Sequence, residues 1–203
     1  VGLWCGHVPY IAILGNSVND SSRLEFNIRL QGVRKAVITD NFIKDPLADG
    51  TKHALALRGF SNVDTSWTGV YTEDIVVRRN DIQGNSISGL MQIAPQDTGK
   101  DERFRNIVVE ANSFSNTATS GTGTCILGGG GSNISIRNNL FRNGDNNNIT
   151  SNIAYSNGNA LAINSFEVIP AINVYVYNNV LYCGRVTSSG TPARMVDINS
   201  ATA

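Results

Sequence analysis

Lys52, His53 and Arg58 bring an amine, an imidazole and a guanidinium together within one short stretch of the chain. Elimination from a uronic acid needs a cation to neutralise the C6 carboxylate and a base to take the C5 proton. Arg58 and Arg29 suit the first task, and His53 or Lys52 the second. An imidazole is attractive as base because its ordinary pKa lies near neutrality. His7 and His53 are the only histidines, so an imidazole mechanism has little choice. Gln31 and Gln92 add hydrogen-bonding groups, while Trp67 and Tyr71 offer flat faces on which sugar rings stack. The competing reading is that these are ordinary solvated side chains on the outside of a β-structure.

Other chemistries find fewer residues. Hydrolysis would use two carboxyl groups about 5–9 Å apart; Asp40, Asp81 and Glu110 are the candidates, but they share no outward column of the repeat described next. Asp97, Asp101 and Glu102 come nearest to a calcium loop, diluted by Lys100, Arg103 and Arg105. No metal or cofactor is expected. Gly128–Gly131 lacks the Lys-Ser/Thr that would follow in a phosphate loop and reads as a bend. Cys5, Cys125 and Cys183 stand far apart without a CxxC pair, so packed thiols are expected rather than structural zinc.

The elements that would position these residues come from a repeat. Six segments share the order apolar, any, apolar, two variable residues, Asn, any, apolar: 11–18, 36–43, 75–82, 107–114, 134–141 and 174–181. Their Asn residues fall at 16, 41, 80, 112, 139 and 179, with spacings of 25, 39, 32, 27 and 40. A second apolar–variable–apolar strand follows each one, at Ile28–Leu30, Leu55–Leu57, Met91–Ile93, Cys125–Leu127, Leu161–Ile163 and Val196–Ile198. Val1-Gly2-Leu3 reads as the second strand of a preceding coil. A directional repeat of short strands without helical patterning predicts an all-β, right-handed parallel β-helix of six to seven coils. The recurrent Asn is expected to take the left-handed backbone at the bend and to hydrogen-bond its copies from coil to coil. Strand phase then turns Arg29, Gln31, Arg58 and Gln92 outward on one face, with Lys52 and His53 at its edge. Insertions at 60–74, 96–105 and 142–159 interrupt the coils. The sequons at Asn133 and Asn148 are read as unglycosylated, the first because it falls in a strand.

Composition agrees with this architecture. The chain has 203 residues, 16 basic against 16 acidic, 41% hydrophobic, with 25 Asn and 20 Gly. Zero net charge argues against nucleic acid or an anionic membrane as partner. No apolar run is long enough for a membrane helix. Residues 1–203 read as one domain, opening at Val1 as either a mature protein or a piece of a longer one would. An incomplete first coil leaves an uncapped end, so self-association through the solenoid ends is expected.

The repeat resembles the pectate-lyase-like superfamily of right-handed parallel β-helix proteins, a likeness carried by the segments that contain Asn16, Asn41, Asn80, Asn112, Asn139 and Asn179 and by the strands that follow them. That superfamily includes polysaccharide lyases, polygalacturonase-type hydrolases, uronan epimerases, phage tailspikes and non-catalytic surface proteins. The chain lacks the Asn-Thr-Asp, Asp-Asp and Gly-His-Gly set of the hydrolases and the Arg-x-Pro-x-x-Arg element of the lyases. Asp45-Pro46-Leu47-Ala48-Asp49 echoes the epimerase Asp-Pro-His-Asp motif without its His. No family catalytic residue carries over. The resemblance is specific for fold and does not select an activity. Together with the face holding Arg29, Lys52, His53 and Arg58, it leads to the expectation of a carbohydrate-active protein, extracellular or at the cell surface, that binds an acidic polysaccharide, with cleavage by a lyase reaction left open. The alternative it implies is a non-catalytic adhesive or structural β-helix.

Overall fold

The computed structural model describes residues 2–19, 26–44, 53–59, 72–86, 89–94, 104–117, 124–143, 151–156, 171–183 and 194–199. These residues form strands and turns, with no helix among them. The first sheet stacks β1 (Leu3–Gly6), β4 (Phe26–Gln31), β7 (His53–Arg58), β10 (Met91–Ala94), β13 (Ile126–Gly129), β16 (Ser151–Ser156) and β19 (Arg194–Asn199). The second stacks β2 (Tyr10–Leu14), β5 (Lys35–Thr39), β8 (Thr72–Arg78), β11 (Phe104–Glu110), β14 (Gly131–Arg137) and β17 (Ala171–Tyr177). In the third lie β3 (Ser17–Val18), β6 (Phe42–Lys44), β9 (Asp81–Gly84), β12 (Ser113–Asn116), β15 (Leu140–Asn143) and β18 (Val180–Cys183). Every pairing is parallel. Parallel neighbours cannot be joined by a tight hairpin. The chain instead visits the three sheets in turn before returning to the first, the arrangement of a parallel β-helix.

Like residues stack on like around an apolar interior. Ile28, Leu55 and Met91 from the first sheet, Ile38, Val77 and Val109 from the second, and Ile43, Ile82, Phe114 and Phe141 from the third are all fully buried. The Phe114 and Phe141 rings stack at 5.2 Å, offset by one coil.

Each predicted first strand is in fact two, divided at the Asn between the second and third sheets. The Asn does not itself take the left-handed backbone. That conformation belongs to the residue before it: Gly15, Asp40, Arg79, Ala111, Asn138 and Asn178 have φ between 51° and 64°. The Asn is reserved for its amide. Its backbone N–H and Nδ2 donate to Oδ1 of the Asn one coil further on at 2.9–3.1 Å, from Asn16 through to Asn179. The second Nδ2 proton goes to a carbonyl of the preceding coil, as from Asn112 to Val77 O at 3.0 Å. All amide valences of the interior members are thereby satisfied.

A second ladder runs on the outside. Asn173 donates to Asn133, Asn133 to Asn106 and Asn106 to Asp74, all at 2.8–3.1 Å and all four with φ of 55–57°. Each stands six residues before an inner-ladder Asn.

Three strand expectations shift. Ile126, not Cys125, aligns with Met91, which places Leu127 beside Gln92. The expected strand at Leu161–Ile163 lies outside the described residues, and Ser151–Ser156 fills that place in the first sheet. The opening strand is Leu3–Gly6, with Leu3 beside Ile28. The glycine run is a bend only in part: Gly128 and Gly129 close β13, and the turn into β14 is made at Gly130 and Gly131, with φ of 68° and 85°.

Replacing Asn112 by Ala strips partners from Asn80, Asn139 and Val77 in the dry interior. Each orphaned group costs about 1–3 kcal/mol. Asn112→Ala should therefore lower unfolding stability by about 3 kcal/mol or more in urea titrations, and Asn16→Ala, at the exposed end, by under about 1 kcal/mol.

Candidate functional site

β4 and β7 pair so that Gln31 lies beside Arg58 and Phe26 beside His53. Phe26 organises the residues around it. The Arg29 and Arg58 guanidinium carbons each lie 5.2 Å from its ring centroid, and the His53 ring stacks on it at 5.7 Å and 16°. Arg29 Nη2–H also donates to Gln31 Oε1 at 3.0 Å. Four sequence-predicted residues, Arg29, Gln31, His53 and Arg58, thus meet about one phenyl ring. Cation–π attraction holds both guanidinium groups there. Gln92 shares the outward register of Arg29 two strands away, with Ala56 between them. Lys52, Trp67 and Tyr71 lie outside the described residues.

Burial changes the picture of an open basic face. His53 is 5% exposed, Gln31 7% and Gln92 5%, so these are not solvated surface groups. His53 Nδ1 sits 2.6 Å from the Gly89 carbonyl oxygen. A carbonyl only accepts, so Nδ1 carries the proton, and the lone pair of the neutral ring is on Nε2. Ser86 Oγ–H donates to the same oxygen at 2.9 Å. Asn116 Nδ2 secures the surroundings with bonds to Ser86 O and Thr124 O at 2.8 and 2.9 Å. Gly89 has φ 119°, and a Cβ there would stand 3.0 Å from Leu127 Cβ. Only glycine lets that carbonyl reach the imidazole.

The sequence reading missed Phe26, Ser86 and Gly89. Phe26 stands in phase with Ile28 and Leu30, so its pattern is that of an ordinary core position. The outer ladder left a legible trace, because its Asx residues keep a fixed offset from the inner one.

The other candidate groups are engaged elsewhere. Asp40 receives two bonds from Arg79, at 2.8 and 2.7 Å, and one from Thr39. Glu110 is bound by Arg137 at 2.7 Å, and Asp81 accepts from Gln83 at 2.8 Å. Carboxylates held this way are poorly disposed to act as a hydrolytic pair. Arg137 also donates to the Tyr177 hydroxyl at 2.9 Å, and that bond pulls the phenol pKa down. No group of three or more His, Cys, Asp or Glu among the described residues is placed to hold a metal, and Asp97, Asp101 and Glu102 lie outside them. Cys5 and Cys125 are free thiols whose pKa values burial raises.

Comparison with protein-family models, curated proteins and solved structures found no match to this chain.

Two measurements check this geometry. Imidazole ¹⁵N shifts of neutral His53 should report the Nδ1–H tautomer; an Nε2–H form would contradict the bond to Gly89. The hydrogen bond from Arg79 holds the Asp40 carboxyl at about 2, below the ordinary 3.8. A depressed carboxylate stabilises the fold above its unfolded pKa and loses that contribution as pH falls through the folded value. Stability should therefore drop between pH 3.8 and about 2, and Arg79→Gln should flatten that part of the acid-unfolding curve.

Proposed function

We propose that the chain is a right-handed parallel β-helix of six to seven coils, of the pectate-lyase-like kind, that binds an acidic polysaccharide on the outer face of its first sheet. Right-handed crossover is the strong preference for parallel strand connections. The observation that carries the functional reading is the convergence of Arg29, Arg58 and His53 on Phe26. Planar guanidinium groups suit carboxylates, which they grip with two parallel hydrogen bonds. Gln31, bonded to Arg29, orients that guanidinium. Trp67 and Tyr71 supply stacking faces for the sugar rings. A partner of this kind places the protein outside the cell or at its surface.

β-Elimination is the reaction such a set would perform. An arginine neutralises the C6 carboxylate, and His53 Nε2, or Lys52 beside it, takes the C5 proton. The electron pair forms the C4–C5 double bond, the C4–O bond breaks, and the departing oxygen gains a proton. The second reading is an adhesive or structural β-helix that binds glycan without cutting it. The 5% exposure of His53 favours that reading, since a base must reach its substrate.

Calorimetry with pectate, alginate and glycosaminoglycans should detect binding to at least one polyuronate. Arg29→Ala and Arg58→Ala should each weaken it about tenfold or more, the worth of a charged hydrogen bond. Growth of the unsaturated-uronate absorbance, abolished by His53→Ala, supports the lyase. Binding without absorbance supports the adhesin, and no binding across the panel rejects the polysaccharide reading.

A further inference from the structure

The outer face of the second sheet carries a depression separate from Arg29, Arg58 and His53. Ala12, Val37 and Val76 are in register across β2, β5 and β8, opposite in phase to the buried Ala36, Ile38, Ile75 and Val77. They floor an open hollow of about 430 Å³ on the flank of the stack, with Tyr10, Lys35 and Asp74 along one side. On the far side of the floor runs the outward column Leu14, Thr39, Arg78, Glu110, Arg137 and Tyr177. An apolar floor with a few placed polar groups is the usual make-up of a small-ligand site.

The polar side begins where the outer ladder stops. Asn106 Nδ2–H donates to Asp74 Oδ1 at 2.8 Å, and a carboxylate has no proton to pass further, so the row of amides ends there. Ala36 pairs with Ile75, which puts Lys35 and Asp74, the residues before them, side by side on β5 and β8. Opposite charges so placed attract, yet these two form no ion pair. Among the described residues the ion pairs are Arg79–Asp40, Arg105–Glu73 and Arg137–Glu110. Lys35 reaches instead over the Tyr10 ring, its Nζ 5.7 Å from the centroid. Asp74 is held from the other side by Asn106, and its Oδ2 has no hydrogen-bond partner among the described residues. The ammonium and the carboxylate thus both border the hollow without touching.

An anion placed here would meet Asp74, and a cation would meet Lys35. A hydroxyl satisfies both, because its oxygen accepts from the ammonium while its proton goes to the carboxylate. A zwitterionic amino acid matches both charges too, but ion pairs on an exposed face contribute little. Apolar contact with the floor must then hold the ligand. A pyranose ring combines a broad C–H face with a rim of hydroxyls. We infer that this hollow binds an uncharged sugar, a pyranose of a neutral glycan. Its C–H face lies on Val37 and Val76, and one hydroxyl bridges Lys35 Nζ and Asp74 Oδ2. The site is distinct from the acidic-polysaccharide face and does not rest on it.

Chemical-shift mapping of the valine methyls in the full chain tests this. The probes are cellotetraose, mannotetraose and galactotetraose, with tetragalacturonate and leucine as acidic and zwitterionic comparisons. At least one neutral tetrasaccharide should shift the Val37 and Val76 methyls and saturate at millimolar concentration. Asp74→Asn keeps an oxygen for Asn106 but removes the charge, and should weaken that binding about tenfold. Lys35→Met keeps the apolar stem and should weaken it by about the same factor. Arg29→Ala should leave it unchanged while weakening polyuronate binding, so that failure at one face is distinguishable from failure at the other. The inference is overturned if no neutral probe moves these methyls, or if tetragalacturonate or leucine moves them at lower concentration. It is overturned equally if either hollow variant binds as tightly as wild type, or if Arg29→Ala abolishes the shifts.

Discussion

A primary amide sealed in a dry interior has to satisfy two donors and one acceptor, and the rest of this structure depends on how that is done. Asn41, Asn80, Asn112 and Asn139 are at most 2% exposed. Their partners exist only if the next coil presents an Asn at the same place, one strand spacing away. A slip of one residue in any coil would leave amides unpaired on both sides and turn core residues outward. The ladder therefore fixes register for two sheets at once. Each intervening stretch of chain need only return to the first sheet in phase, which is why spacings between Asn residues range from 25 to 40.

Register in turn creates the candidate site. With β4 and β7 aligned, Arg29 and Arg58 fall on adjacent strands and converge on Phe26, though their positions along the strand differ. The imidazole needs a different support. It comes from Gly89, whose left-handed backbone turns a carbonyl toward Nδ1, and from Ser86 on the same oxygen. The arginines thus depend on sheet register, whereas the histidine depends on one irregular turn between β9 and β10. These are separable constraints, and a change to one leaves the other standing.

How much of this was legible in the sequence follows from the kind of order involved. Periodic order was visible: the Asn spacing, the apolar alternation and the outward column Leu14 to Tyr177 all follow from a repeated unit. So was the gathering of Arg29, Gln31 and Arg58, since two-residue periodicity places them on one face. Local backbone conformation was less accessible. The left-handed residue proved to be the one before each Asn, where Asp, Arg and Ala occur beside Gly and Asn and give no composition signal. The strand at Ser151–Ser156 was overlooked because Ile153-Ala154-Tyr155 and Leu161-Ala162-Ile163 carry the same pattern, and it is pairing that gives the first of them its place in the sheet. The burial of His53 was not readable either, for it depends on what packs over the strand, and periodicity is silent on that.

The two amide ladders differ in direction. Along the inner one the N–H groups point from Asn16 toward Asn179; along the outer one they point from Asn173 toward Asp74. A row of aligned amides is a line of dipoles, positive where its donors emerge. Here the outer line opposes the inner one, so their axial fields subtract over the coils they share. Between Asn80 and Asn179 the inner line has two forward donors per step and the outer line one, so the outer ladder offsets part of the inner moment rather than adding to it. The amide rows that hold the register thus work against each other electrically while they work together mechanically.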